Sequence, residues 1–223
     1  MMIVKKLNCG KIKIALMTLS LFSFTAGCIS LRTEYPEVNY YRLTQIEDKS
    51  QNIGMNAVKG TLQIRNFAAS DAVDTDNFLG VWDDNKVQVY YYHRWIVNAA
   101  DLLTDFIITR YNNLRVFEGG VVKSSSIIMP DYILEGQLID MVAHNSNKSN
   151  SPNYVYISLR VSLIKKQPMS TEKALLVNKV FTVKSPRKNN SVETIAPAFS
   201  EAVSQIADQM LLEILDAIQK DRE

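Results

Sequence analysis

The strongest pattern of apolar positions lies near the C-terminus. Apolar residues recur at intervals of three and four from Phe199 to Leu215, and acidic and amide residues fill many of the positions between them. This spacing places the apolar side chains along one stripe of an α-helix. Thr194 is a suitable N-cap, and Pro197 lies early, where its missing N–H costs little. The pattern predicts an amphipathic helix of roughly six turns whose stripe packs in the core.

A second helical pattern follows a short aromatic segment near the middle of the chain. Asn98 is a suitable N-cap, and Asp101 follows it three residues later. Four apolar residues then continue in helical register: Leu102, Leu103, Phe106 and Ile107. The pattern predicts a helix that ends at about Asn113.

Most of the remaining chain alternates between apolar and polar positions, which is typical of β-strands. The segments predicted as strands are 39–46, 60–67, 86–92, 116–122, 132–142, 154–164 and 174–183. Polar loops between the last three segments indicate hairpins, and 184–190 is predicted as a basic loop. Its Lys184, Arg187 and Lys188 are interpreted as solvated, with contact to an anionic partner or a lipid headgroup as the alternative. The order of three strands, a helix, several strands and a second helix predicts an α+β fold. We expect a largely antiparallel sheet with two main helices packed on one face.

The N-terminus has the regions of a secretory signal peptide. Four lysines precede residue 14, eleven uncharged residues follow from Ile14 to Phe24, and the segment ends in Thr25-Ala26-Gly27-Cys28. Eleven residues are too few for a comfortable transmembrane helix, which needs about 20. An ordinary secretory signal with an incidental cysteine and an uncleaved membrane anchor are the two alternatives that stay open.

The last three residues of this segment resemble the lipobox of bacterial lipoproteins. That resemblance implies that the Cys28 thiol receives diacylglycerol and that cleavage exposes its amine for a further acyl chain. Cys9 lies in the leader, so Cys28 would be the single cysteine of the mature chain and could form no internal disulfide. An acyl anchor would hang the protein from a membrane without crossing it.

The same resemblance predicts the compartment and the domain boundaries. Position 29 is Ile and not the Asp that tends to retain lipoproteins in the inner membrane, which implies the periplasmic face of the outer membrane. We therefore predict a leader at 1–27, a lipidated tether at 28–38 and a single periplasmic α+β domain at 39–223.

Composition and charge restrict what this domain can do. Apolar residues make up 47% and charged residues 22%, which predicts a packed core and excludes intrinsic disorder for most of the chain. The formal charge of +2 is unevenly spread, because the leader holds four lysines and no acid, which leaves 21 basic against 23 acidic residues. A slightly acidic body lacks the basic face that phosphate binding needs. We therefore expect no nucleic-acid partner.

The chain carries no recognisable catalytic motif. It has no G-x-x-x-x-G-K-[ST] loop, no G-x-S-x-G elbow and no H-E-x-x-H helix. His93 and His144 are the two histidines, and no cysteine is free to join them at a metal site. The densest acidic group predicts a solvated turn, with calcium as the weaker alternative: Asp71, Asp74, Asp76, Asp83 and Asp84. We expect no enzyme, no metal and no cofactor beyond the acyl chains on Cys28.

The segment Tyr90–Trp95 concentrates aromatic side chains with polar tips, which suit binding surfaces. In a regular strand, Tyr90 and Tyr92 would point one way and Tyr91 and His93 the other. One face would pack under the first helix, and the other would be exposed or meet a partner. The segment is interpreted either as a docking surface or as the edge of the core. The candidate partner-binding residues are Tyr91, Tyr92, His93 and Trp95.

At this segment the chain resembles the auxiliary lipoproteins of ABC-type lipid transport systems, which are encoded with MCE (mammalian cell entry) proteins. The run Tyr91–Trp95, followed at once by a helix, carries the resemblance. Three further segments are similar to the family in the same order: Tyr40–Leu43, Leu114–Val121 and Tyr132–Gly136. The similarity extends over essentially the whole mature chain, through short motifs.

The resemblance implies a non-enzymatic part of a lipid transport apparatus between the inner and outer membranes. The ATPase and permease would be other chains of the inner membrane, and a periplasmic MCE protein would form the conduit on which this lipoprotein docks. Phospholipid contact and oligomerisation stay open. The alternatives are a structural lipoprotein that assembles or braces the outer membrane and a lipoprotein that itself holds a ligand.

Overall fold

Strands and helices follow one another in an order close to the predicted one. The computed structural model describes residues 35–46, 57–83, 85–146, 152–166 and 173–223. The strands are β1 (Asn39–Tyr41), β2 (Leu62–Ile64), β3 (Ala68–Ala69), β4 (Asn77–Trp82), β5 (Val87–Trp95), β6 (Val121–Lys123), β7 (Tyr132–Asn145), β8 (Tyr154–Lys166) and β9 (Lys173–Pro186). The helices are α1 (Ala99–Asn113) and α2 (Ile195–Lys220), and a 3-10 turn (Val192–Thr194) precedes α2. The predicted leader and Cys28 lie outside the described residues.

The strands form one mixed sheet around β7. One edge of β7 pairs with β8 along its whole length, and β8 pairs with β9, both antiparallel. The other edge of β7 is shared by β2, β3 and β4, each of which runs parallel to it. β6 extends the sheet beyond β2, while β5 and then β1 extend it beyond β4. The three long strands make the sheet largely antiparallel, as predicted, and the short strands supply the parallel pairs.

Both helices bury their apolar residues against this sheet. α2 packs on β8 and β9, while α1 packs on β3, β6 and α2. Alternate residues of β8 are buried beneath the helix: Val155, Ile157, Leu159, Val161 and Leu163. The fully buried Tyr111 of α1 donates a hydrogen bond from its hydroxyl to the Ala207 carbonyl of α2 at 2.8 Å. The predicted α+β class with two main helices is confirmed.

The two helices begin in different ways. The Asn98 side chain accepts a hydrogen bond from the Ala100 N–H at 3.0 Å, so it caps α1 as predicted. Thr194 was also expected to cap, but its backbone is already helical and its hydroxyl makes no bond to the N–H groups of α2. That hydroxyl donates instead to the Ser191 carbonyl at 2.7 Å. The chain therefore enters α2 through the 3-10 turn.

Several short elements differ from the sequence-based expectation. The predicted strand 39–46 is a strand only over Asn39–Tyr41, and β3 was not expected. β4 was not expected, because its residues are nearly all apolar and show no alternation. Gly80 allows β4 to lie close to its neighbours, since a Cβ there would stand 2.8 Å from the Asn145 amide and 2.9 Å from the Tyr90 ring. The predicted strand over 116–122 is mostly a turn at Gly119 and Gly120, where Gly120 adopts a φ of 78°.

Candidate functional site

The aromatic end of β5 departs from a regular strand. Asn77 of β4 pairs with Arg94, but the next residue, Phe78, pairs with Tyr90. Residues 91–93 therefore face a single peptide link of β4 and bulge out of the ladder. Both Tyr91 and Tyr92 are exposed as a result, to 63% and 45%. The bulge also interrupts the regular alternation that was expected of side chains along this strand.

Trp95 lies in the core and offers no surface for docking. Its indole is only 2% exposed and packs between Phe78, at 4.5 Å between ring centroids, and Phe199 of α2, at 5.8 Å. Its backbone N–H donates to the Asp76 carbonyl at 2.6 Å. Trp95 thus ties β4, β5 and α2 together. Its expected role as a partner contact is corrected to a role in the fold.

His93 holds β1 against β5 and is half-buried. Its Nδ1 lies 2.9 Å from the Tyr41 hydroxyl, within hydrogen-bond distance, and the two rings are tilted at 5.8 Å. Burial, together with the nearby negative charge of Glu193, raises the pKa of Tyr41. Of the four residues expected to contact a partner, only Tyr91 and Tyr92 are largely free to do so.

A buried arginine supports the bulge from behind. The Arg187 guanidinium donates to the Asn145 side-chain oxygen at 2.7 Å, to the Thr194 hydroxyl at 3.0 Å and to the Ser191 carbonyl at 2.8 Å. Asn145 in turn donates to the Tyr90 hydroxyl at 2.9 Å. Burial lowers the pKa of Arg187. This residue was assigned to a solvated basic loop, but β9 continues to Pro186 and carries Arg187 inward.

Other large apolar side chains, on β1 and just after β5, are exposed as well. Tyr40 of β1 and the pair that joins β5 to α1 are also largely exposed, and we call these five residues the bulge patch: Tyr40, Tyr91, Tyr92, Ile96 and Val97. The Ile96 N–H donates to the Tyr41 carbonyl at 2.8 Å, which fixes the turn after β5 beside β1. Exposed apolar patches of this kind mark interaction sites more often than chance. The adjacent apolar pair at 96–97 was the sequence signal that could have extended the expected site.

A groove of about 390 Å³ begins at Tyr41, the residue after Tyr40 of this patch. Its two walls are the segment that follows β1 and the first turns of α2. The residues that line it are Tyr41, Arg42, Thr44, Ile46, Glu193, Ala196, Pro197 and Ser200. The Thr44 N–H donates to the Ser200 hydroxyl at 3.0 Å and holds the walls together. The groove can take up an apolar side chain or an acyl chain, and it holds no arrangement of nucleophile and base.

Other polar groups of the described residues are engaged in local structure. His144 stacks on Tyr154 at 4.4 Å, and burial lowers the pKa of His144. Asp74 accepts a hydrogen bond from the Asn98 side chain at 2.7 Å, and Asp83 accepts one from the Ser146 hydroxyl at 2.8 Å. Across the described part of the chain, no three His, Cys, Asp or Glu side chains converge as metal ligands. No helix there is long and apolar enough to cross a membrane.

Comparison with known protein families shows which family has this architecture. The model of the family described as the ABC-type transport auxiliary lipoprotein component matches residues 41–211, from the end of β1 into α2. This chain belongs to that family. The match includes the bulge, both walls of the groove and the buried arginine, and Tyr40 of the bulge patch lies just before it. The resemblance seen in the sequence is thereby confirmed for an auxiliary lipoprotein of ABC-type transport.

Solved structures confirm the fold of the auxiliary lipoprotein. A crystal structure of a protein from Xanthomonas campestris, of the family DUF330, superposes with a TM-score of 0.66 at 19% identity, covering 82% of this chain and 99% of that one. A second crystal structure, of an uncharacterised protein, superposes with a TM-score of 0.59 at 14% identity, covering 80% and 99%. At these identities the likeness shows the fold alone. No curated protein matches the chain.

Proposed function

We propose that this auxiliary lipoprotein is held to the periplasmic face of the outer membrane by acyl chains on Cys28. There it docks, through the bulge patch, on the periplasmic MCE-type component of a transporter that moves lipid between the two membranes. Membership of an auxiliary lipoprotein family supports the partner class. The observation that carries the docking site is the bulge that turns both Tyr91 and Tyr92 outward.

The chemistry of the bulge patch suits protein recognition. Tyrosine combines a large apolar ring with a polar tip, and aromatic residues are enriched at interface centres where binding energy concentrates. Trp95 and Tyr90 hold the strand from behind, so the two exposed rings stand on a rigid base. A rigid base lowers the entropy that must be lost on binding.

The groove between β1 and α2 adds a second element to the same site. One of its lining residues is Tyr41, which follows Tyr40 of the bulge patch along β1. Its apolar wall can receive a side chain of the docked partner or part of a phospholipid acyl chain. Lipid contact, if it occurs, is therefore expected at this groove.

The acyl anchor explains how a small domain stays at its membrane. Each buried methylene contributes about 0.8 kcal/mol, and one chain alone binds only weakly, so stable attachment needs more than one. A cysteine that carries a diacylglycerol and an N-acyl chain meets that requirement. The tether of residues 28–38 then leaves the domain free to meet a partner in the periplasm.

The double variant Tyr91→Ala/Tyr92→Ala is expected to lose the transporter. When the full-length lipoprotein is purified from membranes, recovery of the MCE-type component should fall about tenfold or more, because two aromatic contacts at the centre of an interface are removed. Thermal unfolding should change little, since exposed side chains contribute roughly ±0.5 kcal/mol to stability.

Val180→Ala/Leu212→Ala is the matched control, since it removes exposed apolar surface from β9 and α2 instead. It should leave recovery unchanged. Equal recovery of the transporter by both double variants would remove the bulge patch from the mechanism. Recovery of an outer-membrane barrel protein in place of a transporter would favour the bracing role.

A further inference from the structure

The loop between β6 and β7 presents three consecutive large apolar residues to solvent. Ile127 is 98% exposed and Met129 77%, with Ile128 half-exposed between them. We call residues Ile127–Met129 the apolar tip. The loop is shaped by local hydrogen bonds, because the Ser126 N–H donates to the Lys123 carbonyl at 2.9 Å and the Ile128 N–H donates to the Ser126 hydroxyl at 3.2 Å.

Exposed apolar residues in this arrangement indicate an interaction surface. Isolated exposed aliphatic side chains are common on soluble proteins, but three in a row at the end of an ordered turn are not. The apolar tip has no residue in common with the bulge patch, whose tyrosines lie on β1 and β5. The apolar tip is therefore a separate candidate for an interaction surface.

The apolar tip and the point where the chain enters the domain lie at different levels of the sheet. Lys123, before the tip, aligns through Ile64 with Leu134 near the start of β7. β1 runs opposite to β7, and Asn39 lies at the level of the last third of β7. The two levels are about seven to nine residues apart along the strand, which is roughly 20–30 Å. β1 therefore runs toward the tip from the end of the sheet that lies away from it.

This direction disfavours the anchoring membrane as the occupant, a step that rests on the lipid anchor of the proposed function. Eleven residues from Cys28 to Asn39 reach at most about 36–40 Å when fully extended. Bringing the tip to the bilayer that holds Cys28 would use most of that reach. Holding the tether so extended costs conformational entropy.

Charge around the apolar tip disfavours an anionic bilayer as well. Lys123 is paired with Asp105 at 2.8 Å, and Lys165 is paired with Asp221. Asp131 directly follows the loop. Segments that bind membranes by inserting apolar side chains are generally flanked by a surplus of Lys and Arg, which attract anionic headgroups. The surroundings of this tip are close to neutral.

We propose that the apolar tip is a second docking site, which inserts into an apolar, uncharged pocket of a periplasmic protein on the side away from the anchoring membrane. The partner supplies the concave half of the contact, and the ordered turn supplies a convex half that is already formed. A lipoprotein with contacts at the bulge patch and at the apolar tip can bridge two places of one assembly or two proteins.

The test places a photoreactive amino acid at position 127 of the full-length lipoprotein in living cells. We expect an adduct with a protein, which mass spectrometry identifies, and no such adduct from position 212, an exposed apolar site on α2. That protein is then produced and its affinity measured directly. Ile127→Ser/Met129→Ser should weaken binding about tenfold or more, because two buried aliphatic side chains are lost. Val180→Ser/Leu212→Ser should bind like the wild type.

Adducts with lipid alone, flotation with phosphatidylethanolamine–phosphatidylglycerol vesicles that the tip variant loses, adducts with a second copy alone, or no adduct would each overturn the proposal. So would a captured protein whose affinity ignores the tip substitutions. Capture of a protein outside any transporter, with tip-dependent affinity, would keep this inference and leave the transport role to be decided by the test of the bulge patch.

Discussion

Trp95→Ala is expected to lower the free energy of unfolding by about 3–5 kcal/mol, the range seen when a large buried aromatic side chain is removed. The indole is almost wholly buried and fills the space between Phe78 and Phe199. Its loss leaves a cavity where β4, β5 and α2 meet. The strands are held in place by their hydrogen bonds to one another, so they do not readily shift to fill that cavity. Denaturant unfolding followed by circular dichroism measures the change.

Tyr91→Ala is the control for this variant, because it lies four residues away on the same strand but is exposed. Its stability should stay within about 0.5 kcal/mol of the wild type. A Trp95→Ala protein of unchanged stability that fails to bind its partner would restore Trp95 as a direct contact. The structure predicts the reverse, with partner binding lost only together with the fold.

Asp208→Ala is expected to destabilise the contact between the two helices by about 2–3 kcal/mol. Arg110 of α1 is buried and donates to both carboxylate oxygens of Asp208, at 2.8 and 2.7 Å. Removing one partner from a fully buried pair costs roughly 3–5 kcal/mol, because the remaining charge is left without compensation. Asp208 keeps 34% side-chain exposure, so water can reach part of the site and the cost is smaller.

Glu213→Ala provides the comparison on the same helix. Glu213 pairs with Lys179 at the surface, where an ion pair contributes about 0–1 kcal/mol. Denaturant unfolding of both variants measures the free energy of unfolding, which should fall clearly more in Asp208→Ala than in Glu213→Ala. If both lose equally little, Arg110 is solvated in solution and its ion pair with Asp208 contributes little to the contact between the helices.

Periodicity predicted the parts of the fold whose residues carry a strong local pattern. The stripe from Phe199 to Leu215 marked α2, and Asn98 marked the start of α1 by its capping chemistry. The long strands β7, β8 and β9 were also expected, though each continues a few residues further. In these elements local preference and tertiary packing agree.

The parts that depend on neighbouring strands were not predictable. β4 is buried on both faces, so its residues do not alternate between apolar and polar. A search for alternation therefore cannot distinguish this strand from a loop. The bulge at 91–93 arises from a change of register against β4, and this change decides which tyrosines are exposed. Arg187 looked like part of a solvated basic loop, yet its acceptors come from β7 and from the chain before α2. Such pairings exist only in the folded chain.

The sequence predicted the location of the candidate site but not all of the residues that form it. The aromatic segment pointed to β5, and Tyr91 and Tyr92 remain in the bulge patch. His93 and Trp95 are not part of the bulge patch, because His93 lies within hydrogen-bond distance of Tyr41 and Trp95 is buried in the core. Cys28 lies outside the described residues, and its acylation stays a prediction.

The lipid anchor is the claim on which the location and the docking both depend. Mass spectrometry of the intact mature protein, purified from membranes in detergent, tests it directly, with radiolabelled palmitate as a second readout. We predict a chain that begins at Cys28 and carries the added mass of a diacylglycerol and an N-acyl chain, with no label in Cys28→Ala. A water-soluble product with an unmodified Cys28 thiol, or one that retains residues 1–27, would contradict the account.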